Sequence, residues 1–380
     1  MKITFALCLS FSAALACLSA DAQQPGDSTR GPHLPLTAFH PGAIWPDNNG
    51  LHINAHGGGL LYKKGVYYWF GEFKIAGGAG NRAQVGVSCY SSKDLYNWKS
   101  EGIALKVSDD PQNDIAKGCI LERPKVVYNK RTKKYVMWFH LELLGKGYSA
   151  ARAGVAVSDN VTGPYQFIRS YRPNPGKMPY YPPGTPASEM VDCAHPAGKS
   201  DTFFCRDVPG GQMARDMTVF VDDDGKAYHV YSSEENFTIQ IAELDKDYTR
   251  HTGKFTRVYA GHQTEALALF KHNGIYYMIG SGCTGWAPNA ARWFTAKSIF
   301  GPWTFHGNPC EGKDANITYG GQSTYVLPVE GKKDAFIFIA DKWTPKNPID
   351  GRYLWLPIVF KGDDISVNWM DSWDLSVFGK

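Results

Sequence analysis

The sequence predicts an all-β fold, a five-bladed β-propeller. Three observations point there. A hairpin pattern recurs five times, and each hairpin is followed by further strand-like segments. No amphipathic helix of useful length interrupts the series. The aromatic fraction is 14%, with 11 Trp and 21 Tyr, and such residues suit pleated surfaces and the apolar faces of sugars alike.

The repeating unit is a short apolar strand, a polar turn and a strand rich in Tyr, Phe and Trp. It first appears as GLLYKKGVYYWFGE, from Gly59 to Glu72, with its turn at Lys63 to Gly65. It returns as PKVVYNKRTKKYVMWFH, ending at His140, and as MTVFVDDDGKAYHVYSS, from Met217. The fourth copy is LALFKHNGIYYMIGS, from Leu267, and the fifth STYVLPVEGKKDAFIFIADKW, from Ser323. Apolar runs around Asp-Gly, Asn-Gly or Lys-Gly turns read as β-hairpins. The segments that follow, such as VGVSCYSSKDLYNWKS and ARWFTAKSIFGPWTF, supply the outer strands. A β-sandwich is the rival architecture, but sandwiches do not usually repeat one internal motif.

One connection breaks the spacing. Tyr171 to Gln212 is long and rich in Pro, Gly and Asp, and contains Cys193 and Cys205. Loops of this length in a compact domain are usually functional or disordered. It is expected either to wall one side of the pocket or to decorate the surface. The two close cysteines are the expected disulfide.

The N-terminus reads as a leader. Lys2 precedes an apolar, small-residue run from Ile3 to Leu18, and Ala20-Asp21-Ala22 fits a cleavage site. The expected organisation is a signal peptide at 1–22, a linker at 23–37 and the propeller at 38–380. Leu15-Ala16-Cys17 offers a rival lipoprotein site, with a lipid anchor at Cys17 as the only route to a membrane. Either way the protein is expected to be exported, to a bacterial periplasm or cell surface. Six cysteines then remain, and export permits disulfides. The formal net charge is +4 and scattered, which leaves no basic stripe for nucleic acid. No Cys/His spacing fits zinc, and no metal or cofactor is expected.

A propeller aims the starts of its innermost strands at a central funnel. Before those strands stand Asn54-Ala55-His56-Gly57, Glu122-Arg123, Arg215-Asp216, Thr264-Glu265 and Gly321-Gln322. Carboxyl or amide groups thus recur at equivalent points of successive blades. Hydrolysis of a glycoside needs a proton donor and a second group that activates water or attacks the sugar. Two carboxyl groups in unequal surroundings can divide those tasks. Glu122, Asp216 and Glu265 are the candidates. His56, a lone histidine, is left outside the catalytic set.

These residues carry a resemblance. RDMTVFVDDDG around Asp216 and TEALALFKHNGIYYMIGSGCTGW from Glu265 resemble glycoside hydrolase family 43. HPGAIWPDNNGLHINAHGGG, FGE at Glu72, LERPKVVYN, GCTGWAPN and GGQSTYV are similar to its exo-β-1,3-galactanase branch (galactan 1,3-β-galactosidases). The resemblance covers about residues 38 to 378. It implies an inverting hydrolase that releases galactose from the non-reducing end of β-1,3-galactan, the arabinogalactan backbone. It implies Glu265 as proton donor and Asp216 as the acid that tunes and orients it. The family's usual base, an Asp in the first blade, is missing here. The branch then places the attacking water on a fifth-blade Gln, matched by Gln322, with an imidic tautomer as one form. Glu122 is implied as a sugar ligand and an alternative base. Trp286 is expected to stack on the galactose and Thr284 to hydrogen-bond it. Tyr148, Glu234 and Asn236 are expected at sugar hydroxyls, with Arg123 and Glu72 supporting them. An arabinofuranosidase or xylosidase on the same scaffold is the alternative within the enzyme class. A sugar-binding propeller without activity is the alternative outside it.

Overall fold

The computed structural model describes residues 34–379. The expected signal peptide, Cys17 and most of the expected linker lie outside the described residues. The propeller unit begins at Pro35, slightly before the expected boundary. Leu36 is already docked: its N–H and C=O both bond the side chain of Asn97, at 2.8 Å each.

Five antiparallel sheets form the five blades. Blade 1 comprises β1 (His56–Lys63), β2 (Val66–Phe73), β3 (Gly86–Ser92) and β4 (Lys99–Lys106). Blade 2 comprises β5 (Ile120–Asn129), β6 (Lys134–Glu142), β7 (Arg152–Ser158) and β8 (Gln166–Tyr171). Blade 3 comprises β9 (Met217–Val221), β10 (Ala227–Ser233), β11 (Thr238–Leu244) and β12 (His251–Val258). Blade 4 comprises β13 (Glu265–His272), β14 (Ile275–Ser281), β15 (Ala291–Ala296) and β16 (Thr304–Gly307). A short strand, β17 (Cys310–Glu311), then pairs in parallel with the outer edge of blade 5. Blade 5 itself comprises β18 (Gln322–Pro328), β19 (Phe336–Lys342), β20 (Arg352–Lys361) and β21 (Asp364–Asn368). Each predicted hairpin forms the two inner strands of one blade.

A blade buries both faces only against its neighbours, and the core follows that rule. Five apolar clusters fill the five interfaces between adjacent blades. The seam between blades 1 and 5 is the most aromatic, with Phe39, Trp69, Trp98, Trp355 and Trp373 all buried. Phe39 and Trp373 exchange backbone hydrogen bonds of 2.7 and 3.1 Å, which clasp the two ends of the described domain and close the ring. Burial of Phe39 alone contributes roughly 1.5–3 kcal/mol. The Trp excess is therefore mainly packing, and only Trp286 and Trp343 reach the central cavity.

A local feature of the innermost strands sets up the site. The register slips just after His56, Glu122 and Glu265, in β1, β5 and β13, and after Ser323, next to Gln322, in β18. A bulge bends the strand and re-aims the side chain beside it. In three of these blades the next residue is left-handed: Gly57 (φ 58°), Arg123 (φ 55°) and Ala266 (φ 60°). Gly57 has a second reason to lack a side chain, because a Cβ there would meet Glu72 Oε1 at 2.2 Å.

The long connection between blades 2 and 3 contains helix α1 (Lys199–Asp207) and the expected disulfide, Cys193–Cys205. Its expected role as a pocket wall is not what the structure shows. No residue from 171 to 212 lines the central cavity.

Candidate active site

Glu122, Glu265 and Gln322, near three of these bulges, reach one cavity on the propeller axis, with a volume of about 340 Å³, and Asp216 joins them from just before β9. Glu122, Asp216, Glu265 and Gln322, from four different blades, all line it. So do Glu72, Arg123, Tyr148, Asn236 and Trp286.

Arg123 is the hub. Its Nη2 pairs with Asp216 Oδ2 at 2.9 Å and donates to Gln322 Oε1 at 2.7 Å. Its Nη1 reaches Ser323 O at 3.1 Å, and its backbone N–H donates to Glu72 Oε1 at 3.0 Å. Asp216 Oδ2 also accepts the backbone N–H of Ala266 at 3.0 Å, beside the proton donor. Glu72 is buried and paired with Lys74.

Glu265 is the candidate acid. Burial pushes its carboxyl up, and the neighbouring Asp216 charge pushes it further, to about 7. It is therefore protonated through the mildly acidic range, as a proton donor must be. The sign gives a test. Activity needs the protonated form, so turnover should fall as pH rises through about 7. Asp216→Asn removes a charge that raises the donor's pKa, so the descending limb should move to lower pH. A pH profile of kcat for both proteins checks this, and an unmoved limb contradicts the tuning role.

Glu122 is the opposite case. Burial alone would raise it, but His140 outweighs burial, with Lys74 and the Tyr148 hydroxyl, and holds it down at about 2. His140 Nδ1 lies 3.1 Å from Glu122 Oε2, and His140 Nε2 lies 2.9 Å from Glu142 Oε1. Burial disfavours the imidazolium, yet the two carboxylates raise His140 to about 9. Glu122 Oε1 accepts from Tyr148 OH at 2.8 Å and Asn81 Nδ2 at 3.0 Å. A carboxylate has about four acceptor positions, so one remains for a ligand.

Gln322 is fully engaged. Its Oε1 accepts from Arg123 and from Trp343 Nε1 (2.9 Å), and its Nε2 donates to Glu265 Oε1 (2.8 Å) and Ser281 Oγ (3.2 Å). Both partners of the oxygen can only donate. This pattern suits the amide form.

Two expected sugar ligands are elsewhere. Glu234 is fully buried behind the cavity and bound to Arg257 at 2.8 Å, so it does not face a ligand. Its turn is left-handed, which points Glu234 inward while Asn236 reaches the cavity. Thr284 does not line the cavity either. Its hydroxyl bonds Ala287 O at 2.5 Å and Asn289 Nδ2 at 2.7 Å, and so shapes the loop that carries Trp286. Trp286 is half exposed and meets Trp343 edge to face at 5.8 Å. His56 is sealed from the cavity, beside Asp341 at 3.6 Å. Asn54 is spent on the backbone of Lys74. The innermost strand of blade 1 thus sends no side chain to the cavity, and blade 1 contributes Glu72, Lys74 and Asn81 from its second strand and the loop after it.

Lys74, Asn81, His140, Arg215 and Trp343 line the cavity without having been singled out. His140 and Trp343 did carry a signal: each ends a hairpin copy, opposite or just beyond the register partner of a candidate (Glu122↔His140, Gln322↔Asp341). Asn81 and Lys74 sit in a loop with no pattern.

A neutral carboxylic acid beside an ionised one, in a sugar-sized polar cavity edged by indoles, defines a glycosidase site on a propeller scaffold. The sequence profile of "Glycosyl hydrolases family 43" matches residues 190–363. A family 43 β-1,3-galactosidase solved with galactodeoxynojirimycin is 53% identical, with a TM-score of 0.82, covering 89% of this chain and all of that one. An exo-β-1,3-galactanase from Phanerochaete chrysosporium, solved with β-1,3-galactotriose, is 31% identical (TM-score 0.73), covering 90% of this chain and 68% of that one. One from Clostridium thermocellum is 33% identical (TM-score 0.72), covering 88% and 66%. No curated protein matches significantly. The chain belongs to glycoside hydrolase family 43.

Proposed function

We propose that this enzyme releases galactose from the non-reducing end of β-1,3-galactan with inversion. The observation that carries the reading is the meeting of Glu122, Asp216, Glu265 and Gln322 around one cavity. The identity to a β-1,3-galactosidase over that protein's full length supports the substrate. Glu265 gives its proton to the leaving oxygen. Asp216 keeps that proton in place at neutral pH. The attacking water sits between Gln322, which orients it, and Glu122, which accepts its proton. Glu122 is a weak base but is ionised at every working pH, so it is always ready to accept. The test is galactose release from β-1,3-galactobiose. Its absence across the pH range would favour a binding protein instead.

Export is part of the proposal, supported by the apolar run from Ile3 to Leu18 and by the disulfide. A periplasmic or cell-surface location, and a lipid anchor at Cys17, rest on that leader alone.

A further inference from the structure

The connection from 172 to 212 does not touch the cavity, yet its buried polar groups converge on a single turn that does. That turn joins β10 to β11. Glu234, Glu235 and Asn236 are consecutive non-glycine residues with φ of 56°, 56° and 66°. A left-handed run of L-residues is sterically disfavoured and persists only when its surroundings hold it.

The hold is visible. Glu234 is fully buried and its carboxylate accepts five hydrogen bonds. Two come from Arg257, Nε at 3.0 Å and Nη2 at 2.8 Å. The others come from Ser200 Oγ (2.6 Å), Thr238 Oγ1 (2.6 Å) and Gln240 Nε2 (3.1 Å). Arg257 is buried too, and its Nη2 also reaches Asp201 Oδ1 and Ser200 Oγ, both at 2.8 Å. Its Nη1 donates to Glu189 O at 3.1 Å. Ser200 and Asp201 belong to α1, and Glu189 lies before it, so three groups of the connection grip one arginine–glutamate pair. The Cys193–Cys205 disulfide ties the segment before α1 to α1 itself.

The turn passes this hold to the site. Asn236 Nδ2 stands 3.4 Å from Glu265 Oε2, and Asn236 O accepts the N–H of Thr264 at 2.8 Å. Glu235 pairs with Arg215, a cavity residue, at 2.6 Å, and with Arg206 of α1 at 3.3 Å. Arg215 in turn donates to Tyr148 O at 2.9 Å.

We propose that the disulfide-closed connection is a clamp. Through Ser200, Asp201 and Arg257 it fixes the 233–237 turn, and the turn fixes Asn236 against the proton donor. Ser200, Asp201 and Arg257 are positioning residues for the hydrolysis proposed above, and the inference rests on that reading. It explains why Glu234, two residues from the cavity residue Asn236, points away from the sugar.

Arg257→Ala would strand the buried Glu234 charge and endanger folding, so the test uses Asp201→Asn and Ser200→Ala, which leave the Arg257–Glu234 pair intact. Each is assayed beside wild type on β-1,3-galactobiose and on a dinitrophenyl β-galactoside, with thermal melting as a folding check. A misplaced donor matters less when the leaving group needs little protonation. The clamp predicts that kcat on galactobiose falls about 10- to 100-fold, the scale of a small misplacement of a catalytic group, while the activated substrate is nearly unaffected. His195→Ala, exposed on the same connection, should change neither. An equal fall on both substrates, or no fall on either with wild type active, overturns the clamp. Wild type inactive on galactobiose overturns the functional reading beneath it.

Discussion

Glu265→Gln should lower turnover of β-1,3-galactobiose by about 10²–10⁴-fold, the usual contribution of a general acid. The substitution keeps the shape of the side chain. It also keeps an acceptor for Gln322 Nε2, now 2.8 Å from Glu265 Oε1, so the cavity should stay assembled. What it removes is the proton that burial and Asp216 hold on the carboxyl up to about pH 7. A galactoside with a dinitrophenyl leaving group departs without that proton and should be largely spared. The descending limb near pH 7 should vanish with the residue that causes it. Steady-state kinetics on both substrates checks this. Equal losses on the two would remove Glu265 from the donor role.

Glu122→Gln is the second large effect, again about 10²–10⁴-fold on galactobiose, the range for a lost proton acceptor. Here the activated leaving group should bring no relief, because the defect is on the water side of the sugar. Azide needs no base. It should restore consumption of the dinitrophenyl galactoside and yield the α-galactosyl azide. The substitution also takes one of two carboxylates from His140, so the imidazole pKa should fall from about 9. The remaining Glu142 contact, 2.9 Å, should keep the ring oriented. Loss of activity without azide product would move the acceptor role away from Glu122.

The fold was legible because a propeller blade repeats its own alternation. Each hairpin copy had the correct strand period and turn residues, so five copies gave five blades. The same logic found Glu122, Asp216, Glu265 and Gln322, each placed just before an apolar inner strand. The bulges were not legible. They depend on one unpaired residue per strand, and Arg123 and Ala266 are not residue types that announce a left-handed backbone. Partners on the second strands, such as His140, required register, which the sequence does not print. Glu234 went astray for a related reason. It is two residues from Asn236, but a left-handed turn sends neighbouring side chains to opposite sides. Thr284 had the right chemistry, but its hydroxyl was already committed within its own loop. The connection from 172 to 212 was recognised as unusual, while its buried contacts, from Ser200 and Asp201 to Arg257, link positions more than fifty residues apart.

The central claim is that a protonated Glu265 and a water held by Gln322 and Glu122 act on opposite faces of one galactose. Proton NMR of wild-type enzyme with β-1,3-galactobiose reads this directly from the first turnover. The account predicts that α-galactose appears first and mutarotates afterwards to the equilibrium mixture. β-Galactose appearing first, or no galactose at all, would contradict it.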